Sequence, residues 1–256
     1  MTDTAIIGAM CPIGQFWSAK RYYDYLIDES NLMLLRGKDF GQLVVICPSL
    51  WEGTKLACDA LEKLASRVKE LINVLMEVKA ERVTFVTSID TQSDTGNELE
   101  EQRSEFDSPY LSALAEFRDF LNLRFGRVLN VFLPELLHSG ADVCVVDYLK
   151  SVPSDSSDEL QVALLERHQL YPMQRLIHDV EKAWESSLVY VNLVPEPVTT
   201  FELVEKCFPQ LVDRLPISKE SDPYGSARTS VYSMHYHDPN TGYIMTKDEV
   251  FESVMQ

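Results

Sequence analysis

The stretch Thr4-Ala-Ile-Ile-Gly-Ala-Met-Cys-Pro-Ile-Gly14 decides how the chain begins to fold. Its apolar residues predict a buried strand ending at Gly8, and the run from Gln15 to Asp24 predicts a helix. Strand, glycine turn and helix open a dinucleotide-binding βαβ unit. There the first glycine makes the tight turn, the second lets backbone approach a pyrophosphate, and the third lets helix pack on strand. The second place here holds Cys11, with Pro12 after it. A Cβ then points into the phosphate space, and proline removes an amide hydrogen at the helix start. The stretch argues for the fold and against the ligand.

Working outward, the next buried run is Gln42 to Cys47, stopped by Pro48. Continuous apolar runs of this kind mark strands covered on both faces. Between Gly14 and Gln42 the chain is too short for two complete βα units, although Tyr25 to Ile27 reads as a short strand and Asn31 to Arg36 as a short helix. The second unit is therefore expected to be compressed. Glu52 to Lys79 carries Leu56, Ala60, Leu64, Val68, Leu71, Leu75 and Val78 at helical steps. Arg82 to Thr87 predicts a strand, Pro109 to Arg124 a helix and Arg127 to Leu133 a further strand before Pro134. This alternation predicts an α/β protein with a doubly wound parallel sheet, Rossmann-like, over residues 1–140. Residues 141–256 are expected to add later strands and helices and a small lobe over the cleft. In that part Ser156 and Glu159 predict a helix to Arg167, Met173 to Glu185 an amphipathic helix, and Leu188 to Leu193 a strand. Thr199 with Glu202, and Thr246 with Glu249, have the spacing of capping boxes.

Composition narrows the partners. Twenty-three Lys and Arg against forty Asp and Glu give a net charge of −17, which disfavours nucleic acid and anionic membranes, since both need a basic surface. Cys11, Cys47, Cys58, Cys144 and Cys207 are scattered, with no CxxC pair and no zinc spacing. They read as buried free thiols of a reducing compartment. No apolar run approaches the ~18 residues of a membrane span, and a cytoplasmic location is expected. No metal site is expected either, because His235 and His237 lack an evident third ligand.

In sheets of this type chemistry gathers at the carboxyl ends of the strands. Two such places carry informative residues: Thr87-Ser88-Ile89-Asp90, and Ser108-Pro109-Tyr110 at the start of the next helix. A serine hydroxyl can donate to a carbonyl while a phenol gives or takes the proton. A phenol with its ordinary pKa of about 10 needs a nearby cation to serve as base. A lysine four residues on, sharing the helix face, would supply it; that position is Leu114. Asp90 and Glu116 are a second candidate acid–base pair, and His138 lies near the expected site. Each has a plainer reading as a strand-ending hydroxyl, a first-turn aromatic or a solvated charge.

Taken together, Gly8 to Gly14, the Cys47 strand, the long helix, Val86 to Asp90, Pro109-Tyr110 and Leu133-Pro134 resemble the extended short-chain dehydrogenase/reductase family. Glu196-Pro197-Val198 and Gly242-Tyr243 add to the likeness, which is strongest to sugar-nucleotide epimerases, dehydratases and reductases. The resemblance implies Ser88 and Tyr110 as catalytic residues, with Asp90 and His138 as further candidates. It implies Gly8, Cys11, Ile13, Gly14 and Pro134 as the lining of an NAD or NADP site. It also exposes departures: Cys11 for the middle glycine, Leu114 for the lysine, Gln92 for an aromatic and Phe132 for an arginine. All fall on the use of a nicotinamide cofactor, so binding is expected to be weak or lost.

Two functions follow as expectations. One is a pseudoenzyme that keeps the fold and serves as a binding or accessory subunit, or acts on a small-molecule substrate without redox chemistry. The alternative is an active NAD(P)-dependent epimerase, dehydratase or reductase on a nucleotide-sugar-like carbonyl, with Tyr110 as acid/base and Ser88 as carbonyl donor. The resemblance further implies a dimer, with itself or a related chain, through the helices at 52–79 and 109–124. If Leu71 faces the partner, Leu71→Asp should disrupt the assembly.

Overall fold

The computed structural model describes residues 2–48, 58–89, 109–137, 144–153, 159–160, 162–215 and 242–256. It divides the chain into two units. The first takes its described residues from 2–48, 58–89, 109–132 and 177–191, and the second from the remainder.

In the first unit, β1 (Asp3–Ile7) leads through α1 (Pro12–Lys20) to β2 (Tyr25–Ile27), which pairs with it in parallel. A 3₁₀ turn at Leu32–Leu35 then carries the chain to β3 (Asp39–Ile46), parallel to β1 on its other side. That turn is the compressed unit: it occupies the place of a strand and helix, so β2 stands at the sheet edge. α2 (Cys58–Leu75), β4 (Lys79–Ser88), α3 (Pro109–Arg124) and β5 (Val128–Leu133) follow. α5 (Leu176–Glu185) and β9 (Tyr190–Asn192), which follow elements of the second unit in sequence, complete a six-stranded parallel sheet of order β2-β1-β3-β4-β5-β9.

The two-residue period of the strands sorts the core. Ala5, Ile7, Leu43, Val45, Val83 and Phe85 face a cluster with Leu64, Val68, Leu71 and Leu75 of α2 and Leu114, Phe117 and Leu121 of α3. Phe85 and Phe117 meet edge-to-face at 5.4 Å between ring centroids. On the opposite face Thr84 accepts a hydrogen bond of 3.0 Å from the Trp184 indole of α5. Leu71 is 1% exposed and packs inside this chain. It does not face a partner, and Leu71→Asp would bury a carboxylate rather than open an interface.

α2 ends at Leu75, short of Lys79, because Lys79 is the first residue of β4. The second unit holds β6 (Glu135–Leu137) parallel to β8 (Leu170–Pro172), and β7 (Arg167–His168) antiparallel to β10 (Val198–Thr199). α4 (Val145–Ser151), α6 (Thr200–Cys207) and α7 (Lys247–Met255) flank them. Both capping boxes form: Thr199 and Thr246 each accept from the amide of the glutamate three residues on, whose carboxylate returns the bond. The helix anticipated up to Arg167 is absent among the described residues 159–160 and 162–167. There Leu160 donates its amide to the Arg214 carbonyl, the Thr200 and Phe201 amides donate to the Glu166 and Leu164 carbonyls, and Arg167 enters β7. Inter-segment bonds replace the intrahelical ladder. Among the described residues no helix is long and apolar enough to cross a membrane.

Candidate functional site

The turn between β1 and α1 is built as its glycines demand. Gly8 has φ of +85°, the left-handed conformation that side chains resist. Its amide and that of Ala9 both donate to the Ile27 carbonyl, at 2.9 and 3.0 Å, tying the turn to the end of β2. At Gly14 a Cβ would lie 2.1 Å from the Gly8 carbonyl oxygen and 2.8 Å from the Ala9 Cα. Gly14 is thus the close-packing glycine of the motif. Ile13, buried at 2% exposure, is a core residue beneath the turn.

Cys11 gives the turn its own character. It is the N-cap of α1, and its Sγ accepts a 3.3 Å hydrogen bond from the Gly14 amide. The thiol is 4% exposed, and burial pushes its pKa up despite the Gly14 and Ile13 amides. The Cys11 amide turns inward to the Gly8 carbonyl at 3.2 Å, and Pro12 has none to offer. The Cys11 and Gly14 amides are thus both bonded within the turn itself.

A dinucleotide needs three things of such a unit: free amides, close approach at the second glycine, and an acidic residue for the adenosine ribose. At the second glycine's place stands Cys11, with a side chain, and its amide is bonded to the Gly8 carbonyl while its Sγ takes the Gly14 amide. The third is present. Asp28 follows the last residue of β2, at the roughly 20-residue spacing from Gly8 that marks the ribose-binding acid. The Ser30 hydroxyl and amide donate to its Oδ1 at 2.6 and 2.7 Å and hold its pKa below the usual carboxylate value. Asp28 is the residue sequence reasoning missed. Its signal was the spacing, masked by the shortness of β2.

Ser88 closes β4 at the carboxyl edge and is half-buried. Tyr110 is the second residue of α3, but its side chain, like Asp90, Gln92, His138, His235 and His237, lies outside the described residues. Leu114 is 4% exposed in the core cluster. A lysine there would carry its ammonium into an apolar setting, so Leu114→Lys does not cleanly restore a cofactor contact. Pro134 is half-buried between β5 and β6.

The second unit contains a buried polar chain that the sequence reading did not single out. His168 Nδ1 lies 3.2 Å from Glu135 Oε2, and Nε2 lies 3.0 Å from the Thr200 hydroxyl. Glu135 Oε1 accepts the Val145 amide at 3.0 Å. Burial pushes the Glu135 carboxyl up, but His168, the Val145 amide and the Cys144 thiol outweigh it and hold its pKa below the ordinary value. Hydroxyl, imidazole and carboxylate in series have the connectivity of a hydrolytic triad. Thr200, however, is 0% exposed and His168 8%. The chain of bonds anchors the start of α6 and is closed to substrate. Among the described residues no three His, Cys, Asp or Glu side chains converge on a metal position.

Solved structures answer the architecture. It is the fold of the extended short-chain dehydrogenase/reductases. A UDP-N-acetylglucosamine 4-epimerase from Bacillus cereus superposes with a TM-score of 0.68 at 10% identity, covering 100% of this chain and 98% of that one. An NAD-dependent NDP-hexosamine 5,6-dehydratase, TunA, of tunicamycin biosynthesis, gives 0.66 at 12%, covering 94% and 93%. A UDP-glucuronic acid 4-epimerase from Bacillus cereus, bound to UDP-glucuronic acid and NAD, gives 0.57 at 8%, covering 79% and 81%. No protein-family model and no curated protein matches the sequence.

Proposed function

We propose that the chain keeps the fold of the sugar-nucleotide epimerases and dehydratases while its use of a nicotinamide dinucleotide is lost or altered. It then acts as a binding or accessory subunit, or on a small molecule without redox chemistry. The observation that carries this is the Cys11 thiol at the head of α1, hydrogen-bonded to the Gly14 amide. Pro12 and the buried Leu114 point the same way.

Calorimetry with NAD(H) and NADP(H) tests it. The steric penalty at Cys11 and the missing lysine contacts together weaken a micromolar site by roughly 3–6 kcal/mol, into the millimolar range or beyond. A low-micromolar dissociation constant, or a dinucleotide carried through purification, would restore the dehydrogenase-type enzyme. Asp28 is the specific support for that second reading, since an acid at the end of β2 suits an adenosine ribose. Cys11→Gly is the informative variant. It frees the Gly14 amide without burying a charge and should strengthen dinucleotide binding by about tenfold, one charge-assisted hydrogen bond's worth.

The same reading includes a dimer through α2 and α3. Leu71 and Phe117 are spent on the core, whereas Ile72 and Phe120 are only partly buried. Ile72→Glu should convert a dimer to monomer in multi-angle light scattering with the fold retained. A monomer before substitution, with no partner co-purifying, removes the dimer.

A further inference from the structure

At the amino ends of β4 and β5, away from the Gly8 turn, the structure collects positive charge on a chain whose net charge is −17. The Val83 amide donates to the Arg127 carbonyl at 2.9 Å, which sets Arg127 beside Arg82 on the neighbouring strand. Both guanidiniums reach the same indole: the Cζ of Arg82 lies 5.7 Å and that of Arg127 5.6 Å from the ring centroid of Trp184. Like charges side by side on adjacent strands repel. Among the described residues no carboxylate comes within 4.0 Å of either guanidinium, although acids outnumber bases by forty to twenty-three.

The arrangement is held in place. The Trp184 indole N–H donates to Thr84, itself fully buried, at 3.0 Å. Arg82 Nη2 donates to Gln42 Oε1 at 3.0 Å, which leaves its other N–H groups for another acceptor. Arg127 is exposed, while Arg82 and Trp184 are half-buried. Two guanidinium forks gathered at one indole, one held by Gln42 and the other exposed, offer charged donors to an oxyanion.

We infer that Arg82, Arg127 and Trp184 form an anion site that takes a phosphate group, separate from the β1–α1 turn. The charge selects phosphate over carboxylate: a phosphate monoester carries about −1.5 to −2 near pH 7, matching two guanidiniums. It also offers enough oxygens to accept from both forks at once.

Tryptophan fluorescence of the full chain, titrated with inorganic phosphate against chloride at constant ionic strength, tests this. A saturable change is expected with phosphate, with acetate far weaker. Trp184→Phe removes the optical change but keeps the calorimetric binding, which assigns the signal among Trp17, Trp51 and Trp184. Arg127→Gln, at an exposed position that leaves the core untouched, should weaken binding about tenfold, and Arg82→Gln similarly. O-phosphoserine distinguishes the sources: tighter binding than phosphate marks a monoester ligand, and equal binding marks the free ion. A phosphate response equal to chloride, unaltered by Arg127→Gln, or matched by acetate overturns the proposal.

Discussion

Replacing His168 by alanine is expected to lower the stability of the protein by about 3–5 kcal/mol, the cost of breaking a buried polar pair at one end. The imidazole is 8% exposed and bonds on both sides, to Glu135 at 3.2 Å and to Thr200 at 3.0 Å. Without it the Glu135 carboxylate keeps the Val145 amide but loses its largest compensation for burial. The Thr200 hydroxyl, in a fully buried residue, loses a bond at the head of α6. For a chain of this size the loss corresponds to a fall of roughly 10 °C in melting temperature. His168→Gln, which can keep one of the two bonds, should lose about half as much. The contribution also depends on pH. Glu135 titrates below its ordinary value when folded, so its stabilisation is complete above the unfolded value of ~4.3 and is lost as pH falls through the folded one. Urea midpoints for wild type and variant should therefore lie far apart near pH 7 and converge towards pH 3. Equal midpoints near pH 7 would show that the His168 chain of bonds carries no stability.

How far the sequence disclosed this molecule depends on the range of the interaction that fixed each part. Strands β3, β4 and β5 and helix α3 were legible because burial on a regular element leaves a periodic signature. So were α6 and α7, whose capping boxes close within four residues. The segment ending at Arg167 was misjudged, because its backbone partners are the Arg214 carbonyl and the amides at the start of α6, far along the chain. Whether Leu71 faces the sheet or a partner was not legible, for a related reason. Periodicity shows which face of α2 is apolar and is silent on whether sheet or partner covers it. The tight turn at Gly8 and the close packing at Gly14 were legible because they lie inside one turn, whereas Cys11 as the N-cap of α1 was not foreseen. Asp28 was legible only in hindsight through its spacing; His168 and Thr200 come together by the pairing of β7 with β10, and Glu135 reaches them through the pairing of β6 with β8. Arg82, Arg127 and Trp184 likewise meet across two strands and a helix.

The second large effect returns to the stretch that opens the chain. Gly14→Ala is expected to destabilise the first unit by about 3 kcal/mol or more, at or beyond the upper end of overpacking penalties. Glycine at helix interiors ordinarily gains from alanine, by roughly 0.5–1 kcal/mol. Here the sign reverses, because the added methyl would sit 2.1 Å from the Gly8 carbonyl oxygen and 2.8 Å from the Ala9 Cα. Those atoms are backbone and cannot rotate away. Gly8 is held at φ of +85°, and its amide and that of Ala9 are bound to the Ile27 carbonyl. Relief therefore means moving α1 off β1, which would also break the bond from the Gly14 amide to the Cys11 thiol. Gly126→Ala supplies the comparison: a Cβ there meets nothing within 4 Å, so that variant should match or slightly exceed the parent. Equilibrium urea unfolding followed by circular dichroism measures both. If Gly14→Ala matched Gly126→Ala, α1 would not be packed on β1 through this glycine. The reading of the turn as a dinucleotide-type βαβ junction would fail with it, whatever the turn does or does not bind.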